Sequence, residues 1–302
     1  MGKIAFVFSG QGDQFPGMGR ELSERYESAA RIFGACDSIR VGTSEQCFNG
    51  TEEELKITKN TQPCLFAMEL AAATVLMEAG IKPAAVAGFS LGEVVAVTVA
   101  GIVDNETGFK LVCKRGEFMG REAEKADASM AAVVKLSPET VKNLCAKYEN
   151  VYPVNFNCPG QITVSGLSAQ MSAFAEDVKS AGGRAIPLKV NGGFHSPFMK
   201  EAAEDFAFEL AEISFSENVV PVYSNMTAKP YTDDVIGLLA GQICNPVLWE
   251  ELIRNMIADG VDTFIEIGPG KTLTNMIGKI DGNVKRYSVC ELEKILLEVK
   301  PC

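Results

Sequence analysis

The sequence predicts an α/β fold: a mostly parallel sheet flanked by helices, like an α/β-hydrolase core, with an inserted ferredoxin-like βαββαβ subdomain. Three observations support this. Short β-branched runs alternate with helical patterns toward both ends of the chain, which is typical of a parallel sheet covered on both faces. The middle of the chain has the order strand, helix, strand, strand, helix, strand. The 302 residues, 47% apolar and 22% charged, suffice for a sizeable core.

The N-terminal elements are predicted from the spacing of apolar residues. Ile4–Phe8 is expected to be a buried strand that ends in a glycine-rich turn. A single helix is expected next, because apolar residues repeat every four positions at Met18, Leu22, Tyr26 and Ala30. The following elements are a helix with Thr61-Gln62-Pro63 in its first turn and Gly80 just past its end, a strand at Ala84–Ala87, and helices at about Glu93–Ala100 and Thr107–Lys125.

The middle of the chain supplies the inserted subdomain. Its predicted elements are Met130–Val134 (strand), Pro138–Lys147 (helix), Val151–Asn157 and Gln161–Ser165 (strands), Ala169–Ala181 (helix) and Ala185–Val190 (strand). The parallel sheet resumes with strands at Val219–Ser224 and Thr263–Ile267. We therefore expect a large α/β domain from residues 1–125 and 190–302, and a small ferredoxin-like subdomain at residues 126–189.

Composition and charge exclude several classes of protein. With 28 Lys and Arg against 39 Asp and Glu, the net charge is −11, which disfavours attraction to nucleic acid. No stretch reaches the ~18 uninterrupted apolar residues of a membrane span. The nine cysteines are scattered without a C-x-x-C pair and the N-terminus lacks a signal-peptide pattern, so we expect reduced thiols and a cytoplasmic location.

Two glycine-containing stretches resemble nucleotide-binding motifs without matching them. Gly10-Gln11-Gly12 follows the first predicted strand, but Phe15 stands where G-x-G-x-x-G requires its last glycine. Gly270-Lys271-Thr272 has the end of a P-loop, but Ile265 stands where that motif requires its first glycine. Neither stretch therefore predicts a nucleotide site.

Ser90 is the candidate nucleophile. It is the serine of Gly88-Phe89-Ser90-Leu91-Gly92, which fits G-x-S-x-G and lies between a predicted strand and a predicted helix. A sharp strand-to-helix turn exposes the hydroxyl group, and the helix N-terminus directs backbone N–H groups toward an oxyanion. This context favours a nucleophile over a structural turn serine.

His195 is the only histidine of the chain, so any mechanism that needs an imidazole must use it. A histidine-rich metal site is excluded for the same reason, and we expect no metal. A lone histidine is ordinarily a structural residue, but His195 follows a predicted strand in a loop, where catalytic groups tend to lie. With an ordinary pKa near ~6.5 it is a competent general base.

Arg115 projects from an apolar face of its predicted helix, because Leu111 and Met119 lie four residues away on either side. Spacing alone leaves two interpretations open. The guanidinium is either a structural group that extends to solvent or pairs with an acid, or a buried receptor for a substrate carboxylate. Its planar, two-pronged donor geometry suits the second role.

With these residues assembled, the chain resembles the malonyl-CoA:acyl-carrier-protein transacylase family, which loads malonyl groups in type II fatty-acid synthesis. The resemblance extends over nearly the whole chain in ordered blocks. These are Phe8–Gln14 with Gly17-Met18-Gly19, Thr61-Gln62-Pro63, Ser90–Glu93, Lys114-Arg115-Gly116, Asn155–Gln161, Gly193–Ser196, Asn245–Trp249 and Glu266–Gly270.

The resemblance implies roles for the reacting groups. Ser90 would be the acylated nucleophile and His195 its base. The backbone carbonyl of Gln242 would take the place of the third member of a triad. The backbone N–H groups of Gln11 and Leu91 would form the oxyanion hole.

The resemblance also implies what selects the acyl group. Arg115 would bind the malonyl carboxylate, and Phe194 would crowd α-branched acyl groups. The family usually has histidine directly before the nucleophile, where this chain has Phe89, so one polar contact near the substrate is lost. The active site is expected in the cleft between the two domains.

The implied reaction is transfer of malonyl from malonyl-CoA, a substrate, to the phosphopantetheine thiol of acyl carrier protein, through a malonyl-serine intermediate and without a bound cofactor. The alternatives are an acyltransferase of a polyketide pathway with malonyl or another acyl donor, a thioester hydrolase, and an inactive carrier-binding module. The expected partners are malonyl-CoA and acyl carrier protein, with no nucleic acid and no membrane, and a monomer is expected. An acidic carrier requires a local basic patch, for which the candidates are Arg184, Lys189, Lys200 and Lys271.

Overall fold

The protein contains two β-sheets, one parallel and one antiparallel. A computed structural model describes residues 2–299 of the chain. Its strands are β1 (Lys3–Phe8), β2 (Ala85–Gly88), β3 (Ala128–Val134), β4 (Val151–Cys158), β5 (Gln161–Leu167), β6 (Arg184–Asn191), β7 (Val222–Tyr223), β8 (Val261–Ile267) and β9 (Lys285–Ser288).

Helices pack against both sheets. They are α1 (Arg20–Arg25), α2 (Glu27–Ile39), α3 (Thr43–Asn49), α4 (Glu52–Lys56), α5 (Thr58–Glu78), α6 (Gly92–Val99), α7 (Asn105–Lys125), α8 (Pro138–Cys145), α9 (Ser168–Ser180), α10 (Lys200–Ala211), α11 (Val235–Gly241), α12 (Trp249–Ala258), α13 (Thr272–Ile280) and α14 (Leu292–Glu298). Within residues 2–299, no helix combines the length and the apolar character needed to cross a bilayer.

The larger sheet has five parallel strands in the order β7-β2-β1-β8-β9. The central strand β1 is buried from Ile4 to Phe8, as its continuous apolar run predicts for a strand covered on both faces. Phe8 pairs with both Gly88 and Ile267, so the carboxyl ends of β1, β2 and β8 lie side by side. The turns after these strands therefore meet at one edge, where open α/β sheets bind ligands.

The smaller sheet is antiparallel, with strands in the order β4-β5-β3-β6. The strand β5 lies between β3 and β4, which α8 connects, so the unit is a split βαβ motif. Its own apolar core lies between the sheet and the two helices α8 and α9, with Phe174 and Val178 fully buried. The predicted combination of a parallel sheet with a ferredoxin-like unit is confirmed.

The region after β1 differs from the prediction of a single helix. It forms two helices, α1 and α2, which are separated at Tyr26, where the backbone is extended (φ −128°, ψ 117°). The four-residue repeat nevertheless persists across the break. The N–H of Tyr26 donates to the carbonyl of Leu22, and the N–H of Ala30 donates to the carbonyl of Tyr26.

Two boundaries differ from the predictions by three residues, more than the others. The helix α5 begins at Thr58, one turn early, so Pro63 lies inside the helix and removes one backbone hydrogen bond. Of the predicted strand Val219–Ser224, only the two residues of β7 pair with β2. Pro221 precedes β7 and has no N–H to donate, so it cannot extend the pairing.

The turn between β2 and α6 is packed too tightly for side chains at its glycine positions. A Cβ atom at Gly88 would lie 1.8 Å from the carbonyl carbon of Gly92, and one at Gly92 would lie 2.4 Å from the carbonyl oxygen of Phe8. Both neighbours are backbone atoms, which cannot rotate away. The glycines of the motif are therefore required for the turn to pack against β1.

We expect Gly88→Ala to destabilise the fold, because the clash forces the turn to shift. Its free energy of unfolding, measured by urea denaturation, should fall by at least ~1–3 kcal/mol, the usual cost of overpacking. Gly34→Ala is the matched control, since Gly34 is exposed on α2 and no atom lies within 4 Å of the added Cβ. A Gly88→Ala protein as stable as wild type would contradict this packing.

Candidate active site

Ser90 lies in the turn between β2 and α6, with its backbone in the left-handed region at φ 55°. This conformation costs a non-glycine residue ~1–3 kcal/mol and is concentrated at functional sites. Asn225, which follows β7, holds the turn from both sides. Its Oδ1 accepts the N–H of Ser90 over 2.7 Å, and its Nδ2 donates to the carbonyl of Gly88. The strained position is thus fixed by hydrogen bonds from a distant loop.

His195 reaches Ser90 from the loop after β6. Its Nε2 lies 2.8 Å from the Oγ of Ser90, and its Nδ1 lies 2.8 Å from the backbone carbonyl oxygen of Gln242. A carbonyl oxygen only accepts, so Nδ1 carries the hydrogen and Nε2 accepts the hydroxyl proton of Ser90. His195 also has a left-handed backbone, at φ 60°. The structure therefore brings these three groups together in the predicted order.

The imidazole of His195 is neutral at physiological pH. Burial lowers its pKa from 6.5 to about 4, and the charge of Arg115 acts in the same direction. These two effects outweigh the backbone hydrogen bonds that raise the pKa, from Gln242 and Asn245. A neutral imidazole in contact with a serine hydroxyl is the arrangement that general-base activation of a nucleophile requires.

Arg115 is completely buried beside this pair. Its Nη1 donates to Oε1 of Gln62 over 2.7 Å, and its Nη2 donates to Oγ of Ser90 and Oε1 of Gln242 over 3.1 Å each. Within residues 2–299, no carboxylate lies within ion-pair distance of the guanidinium, and its Nε has no hydrogen-bond partner. Burial lowers the pKa of Arg115 to about 9, which leaves it charged at neutral pH.

Glu93 is the nearby acid that, when ionised, raises the pKa of Arg115. At neutral pH it does not neutralise the guanidinium. The Glu93 carboxyl group is buried in the first turn of α6, where it contacts the hydroxyl of Tyr231 and the N–H of Asn225. Burial raises the pKa of Glu93 to about 8, so the group is mainly protonated at neutral pH. The site therefore holds one uncompensated positive charge in contact with Ser90.

Two backbone N–H groups next to Ser90 are free to bind a ligand. In the described part of the chain, neither Gln11, in the turn after β1, nor Leu91, at the start of α6, donates its N–H to another group. Both residues line the cavity at Ser90. Free N–H groups at a helix N-terminus stabilise negative charge that develops on a substrate oxygen.

A cavity of about 90 Å³ adjoins the serine, far below the ~300 Å³ minimum of drug-sized sites. The parallel sheet and its helices contribute its polar groups, among them Ser90 and Arg115. Phe194, which is buried, also lines it. The antiparallel sheet closes the cavity with the apolar side chains of Met130, Leu188 and Val190 and with Asn155. The space suits an acyl group of a few heavy atoms.

A second cavity, of about 250 Å³, extends from the first between the turn after β1, the antiparallel sheet and α13. Gln11, Phe89, Asn155 and Leu188 line both spaces. Phe89 packs edge-on against Trp249, with ring centroids 5.5 Å apart. The Oδ1 atoms of Asn155 and Asn157 are buried without a partner within residues 2–299. The outer cavity thus has two asparagine side chains in its wall along an approach to Ser90.

Some groups around the site are not evident from the sequence pattern. Four side chains contact the site without having been assigned a role from the sequence: Gln62, Glu93, Asn225 and Tyr231. Of these, only Gln62 and Glu93 lie in the sequence blocks that carry the family resemblance. The position of Asn225 could have indicated its role, because it follows a strand of the parallel sheet at the edge where such sheets bind ligands. Residues 2–299 contain no group of three or more His, Cys, Asp or Glu placed to hold a metal ion.

Comparison with known proteins matches this geometry to a family. The sequence matches the acyl transferase domain over residues 5–292. The malonyl CoA-acyl carrier protein transacylase of Bacillus subtilis (strain 168) is 40% identical over 308 residues, which cover 99% of this chain and 97% of that protein.

Solved structures agree. The malonyl CoA-acyl carrier protein transacylase of Clostridium perfringens superposes with a TM-score of 0.95 at 38% identity, covering 98% of this chain and 97% of that one. A malonyl-transacylase in complex with its type II PKS acyl-carrier protein has a TM-score of 0.90 at 32% identity, with 95% of each chain covered. The chain therefore belongs to the acyl transferase domain family, among the malonyl CoA-acyl carrier protein transacylases.

Proposed function

We propose that this protein transfers the malonyl group of malonyl-CoA to the phosphopantetheine thiol of an acyl carrier protein through a malonyl-serine intermediate. One observation carries the proposal: the buried cation Arg115 contacts the Ser90 hydroxyl, and no ionised acid of the described chain pairs with it. An unpaired buried charge is costly unless a ligand supplies the counter-charge. The free carboxylate of a malonyl group on Ser90 supplies it.

The reaction proceeds in two half-reactions. Ser90 Oγ attacks the thioester carbonyl carbon of malonyl-CoA while His195 Nε2 takes the hydroxyl proton, which then passes to the departing thiolate of coenzyme A. The Gln242 carbonyl keeps the imidazole oriented and stabilises the imidazolium that forms. In the second half-reaction the carrier thiol gives its proton to His195 and attacks the malonyl ester carbonyl carbon. The bond from that carbon to Ser90 Oγ breaks, and His195 Nε2 returns the proton to the departing Oγ.

The backbone N–H groups of Gln11 and Leu91 serve both half-reactions as the oxyanion hole. This assignment is supported by two observations: neither N–H donates a hydrogen bond within the described chain, and both residues line the acyl cavity. Losing one such donor typically costs ~3–4 kcal/mol of transition-state stabilisation. The turn after β1 therefore contributes to the rate alongside the pair of Ser90 and His195.

Selection of the acyl group combines charge with volume. Arg115 binds the malonyl carboxylate, and Phe194 fills the side of the cavity that an α-branch would enter. The pantetheine arm occupies the outer cavity, whose wall includes the polar side chains of Gln11, Asn155 and Asn157.

The carrier protein docks on the exposed edge strand β6 in this proposal. Among the four candidate basic residues, Lys200 pairs with Glu204 and Lys271 with Glu291, which partly neutralises them. Arg184 and Lys189 are exposed on β6, on either side of Leu188, which lines both cavities. Positive charge here attracts an acidic carrier to a chain whose net charge is −11.

Two biosynthetic pathways are candidates for the carrier protein that accepts the malonyl group, fatty-acid synthesis and polyketide synthesis. The similarity to a malonyl-transacylase in complex with a type II PKS carrier favours a polyketide carrier as the alternative acceptor. We further propose that residues 1–125 and 190–302 form the catalytic domain, that residues 126–189 form the small subdomain, and that the protein acts as a monomer.

Ser90→Ala should abolish the covalent intermediate, because among residues 2–299 the hydroxyl of Ser90 is the one that contacts His195 Nε2. Intact-mass spectrometry after mixing with malonyl-CoA should show one added malonyl group on the wild type and none on the variant. Subsequent addition of a phosphopantetheinylated carrier should remove the adduct. Ser38→Ala, at an exposed serine of α2, is the control and should acylate like wild type. Persistence of the adduct in Ser90→Ala would rule out the assignment.

Arg115→Ala should reduce malonyl transfer about ten- to 150-fold, since a hydrogen bond to a charged group contributes ~1.5–3 kcal/mol. Acetyl transfer from acetyl-CoA should change far less, because acetyl has no second carboxylate. Arg121→Ala, at an exposed arginine of the same helix, should leave both rates unchanged. Equal losses for malonyl and acetyl would show that Arg115 is structural.

His195 should titrate with a midpoint near pH 4, well below an ordinary histidine. Because the chain has one histidine, NMR of the imidazole signals reports this group alone. The neutral base persists above that midpoint and Glu93 stays mainly protonated up to neutral pH, so acylation should be independent of pH between 6 and 7. Arg115→Met should raise the midpoint, because it removes a positive charge that lowers it. A midpoint near 6.5 in the wild type would contradict the buried arrangement.

A further inference from the structure

Glu69 is a buried acid that the proposed mechanism leaves unused. It lies in the middle of α5, whose neighbouring residues Met68 and Leu70 are both buried and apolar. Its side chain is completely buried, its Oε1 contacts the Oγ of Ser9, and its Oε2 has no partner in the described part of the chain. No lysine or arginine of residues 2–299 forms an ion pair with it.

The surroundings of Glu69 favour its neutral form. Two further acids act on it: Glu266 of β8, whose oxygens accept the N–H groups at the start of α13, and Asp13, in the loop after β1. Burial and these like charges raise its pKa well above the ordinary value, more than the contact with Ser9 lowers it. Ser9 Oγ donates to Oε1 of Glu69, and Oε2 remains as a buried acceptor without a partner in the described part of the chain.

This carboxyl group lies where three segments of the chain meet. Ser9 directly follows β1, and its N–H donates to the carbonyl of Ile267 at the end of β8 over 3.2 Å. A Cβ atom on Gly268 would lie 2.2 Å from Ser9 Oγ and 3.4 Å from Glu69 Oε1. The absence of a side chain at Gly268 leaves room for the contact between α5 and the turn after β1.

The same turn carries the N–H of Gln11, two residues beyond Ser9. Gly10, between them, is pressed against the strand-to-helix turn, since a Cβ there would lie 2.9 Å from the carbonyl oxygen of Phe89. The turn is thus held from the core by Glu69 through Ser9, and from the side by Phe89. Removing the first contact leaves the Gln11 N–H free to turn away from the oxyanion.

We propose that Glu69 is a positioning residue, which holds Ser9 through the hydrogen bond to its buried carboxyl group and so directs the N–H of Gln11 at the developing oxyanion. The inference rests on the proposed function, in which that N–H belongs to the oxyanion hole. Glu69 touches neither substrate nor the reacting atoms, and acts only through the turn after β1.

The proposal predicts a specific pattern of kinetic changes. Glu69→Leu and Ser9→Ala should each lower kcat for malonyl transfer about tenfold or more, a part of the ~10²–10³ lost when a whole oxyanion donor is removed. The KM for malonyl-CoA should stay within about threefold, because Arg115 and the outer cavity bind the substrate. Glu69→Gln should restore most of kcat, since its amide oxygen still accepts the hydroxyl of Ser9 as Oε1 of Glu69 does. The double variant should be no slower than the slower single one.

The experiment measures these constants with malonyl-CoA and a phosphopantetheinylated carrier, together with the rate at which p-nitrophenyl acetate acylates Ser90, followed by intact mass. The second reagent needs the oxyanion hole but no malonyl recognition. Val75→Ala is the control for stability: Val75 is buried on α5 six residues further along, and its loss should lower the thermal midpoint without changing kcat. Ser9→Ala keeps the test usable if Glu69→Leu fails to fold.

The outcomes separate the two proposals. Absence of a malonyl adduct on the wild type would overturn the proposed function, whereas p-nitrophenyl acetate would still report on Glu69. Acylation by Glu69→Leu or Ser9→Ala at the wild-type rate would overturn the role of Glu69. So would a loss of kcat in Val75→Ala equal to theirs, or a Glu69→Gln protein as slow as Glu69→Leu. Slow acylation in both Glu69→Leu and Ser9→Ala, together with a rate restored in Glu69→Gln, would support the role of Glu69.

Discussion

The site depends on the charge of a guanidinium that is enclosed without an acid to balance it. Burial keeps Glu93 mainly protonated, and burial together with Arg115 keeps His195 neutral, so the enclosed groups carry one net positive charge at neutral pH. The same charge therefore serves two ends: it attracts an acyl group that brings its own carboxylate, and it holds the imidazole in the form that accepts a proton. The cost of enclosing it is offset when the substrate binds.

The backbone around the reacting groups is strained in a way that the surrounding contacts explain. Ser90 and His195 are two of the few non-glycine residues with positive φ, and each is tied to a distant segment: Ser90 to Asn225, and His195 to the carbonyls of Gln242 and Ile243. Because several independent elements determine these positions, the strained conformations persist. Stability elsewhere in the core sustains a geometry that the local sequence alone would not adopt.

Much of this arrangement could be predicted, and what could not has a physical reason. Local periodicity located every element of the antiparallel unit, and the strand-to-helix context of G-x-S-x-G singled out Ser90. The break between α1 and α2 at Tyr26 was not predicted, because hydrogen bonds preserve the four-residue apolar spacing on both sides of it. The orienting carbonyl of Gln242 has no signature of its own, since every residue has a carbonyl, and only the family resemblance indicated it. The contacts of Asn225 and Glu69 join residues 60 or more positions apart, which no local pattern records.

The acyl cavity is built by two sheets with separate tasks. The turns of the parallel sheet carry Ser90 and the two free N–H groups, and His195 lies in the loop that leaves β6. The strands of the antiparallel sheet contribute Met130, Leu188, Val190 and Asn155 to the walls of the cavity. Changes in those apolar side chains alter the room for an acyl group without disturbing the hydrogen bonds of Ser90. Over evolutionary time, such a scaffold lets the choice of building block diversify while the chemical step is inherited intact.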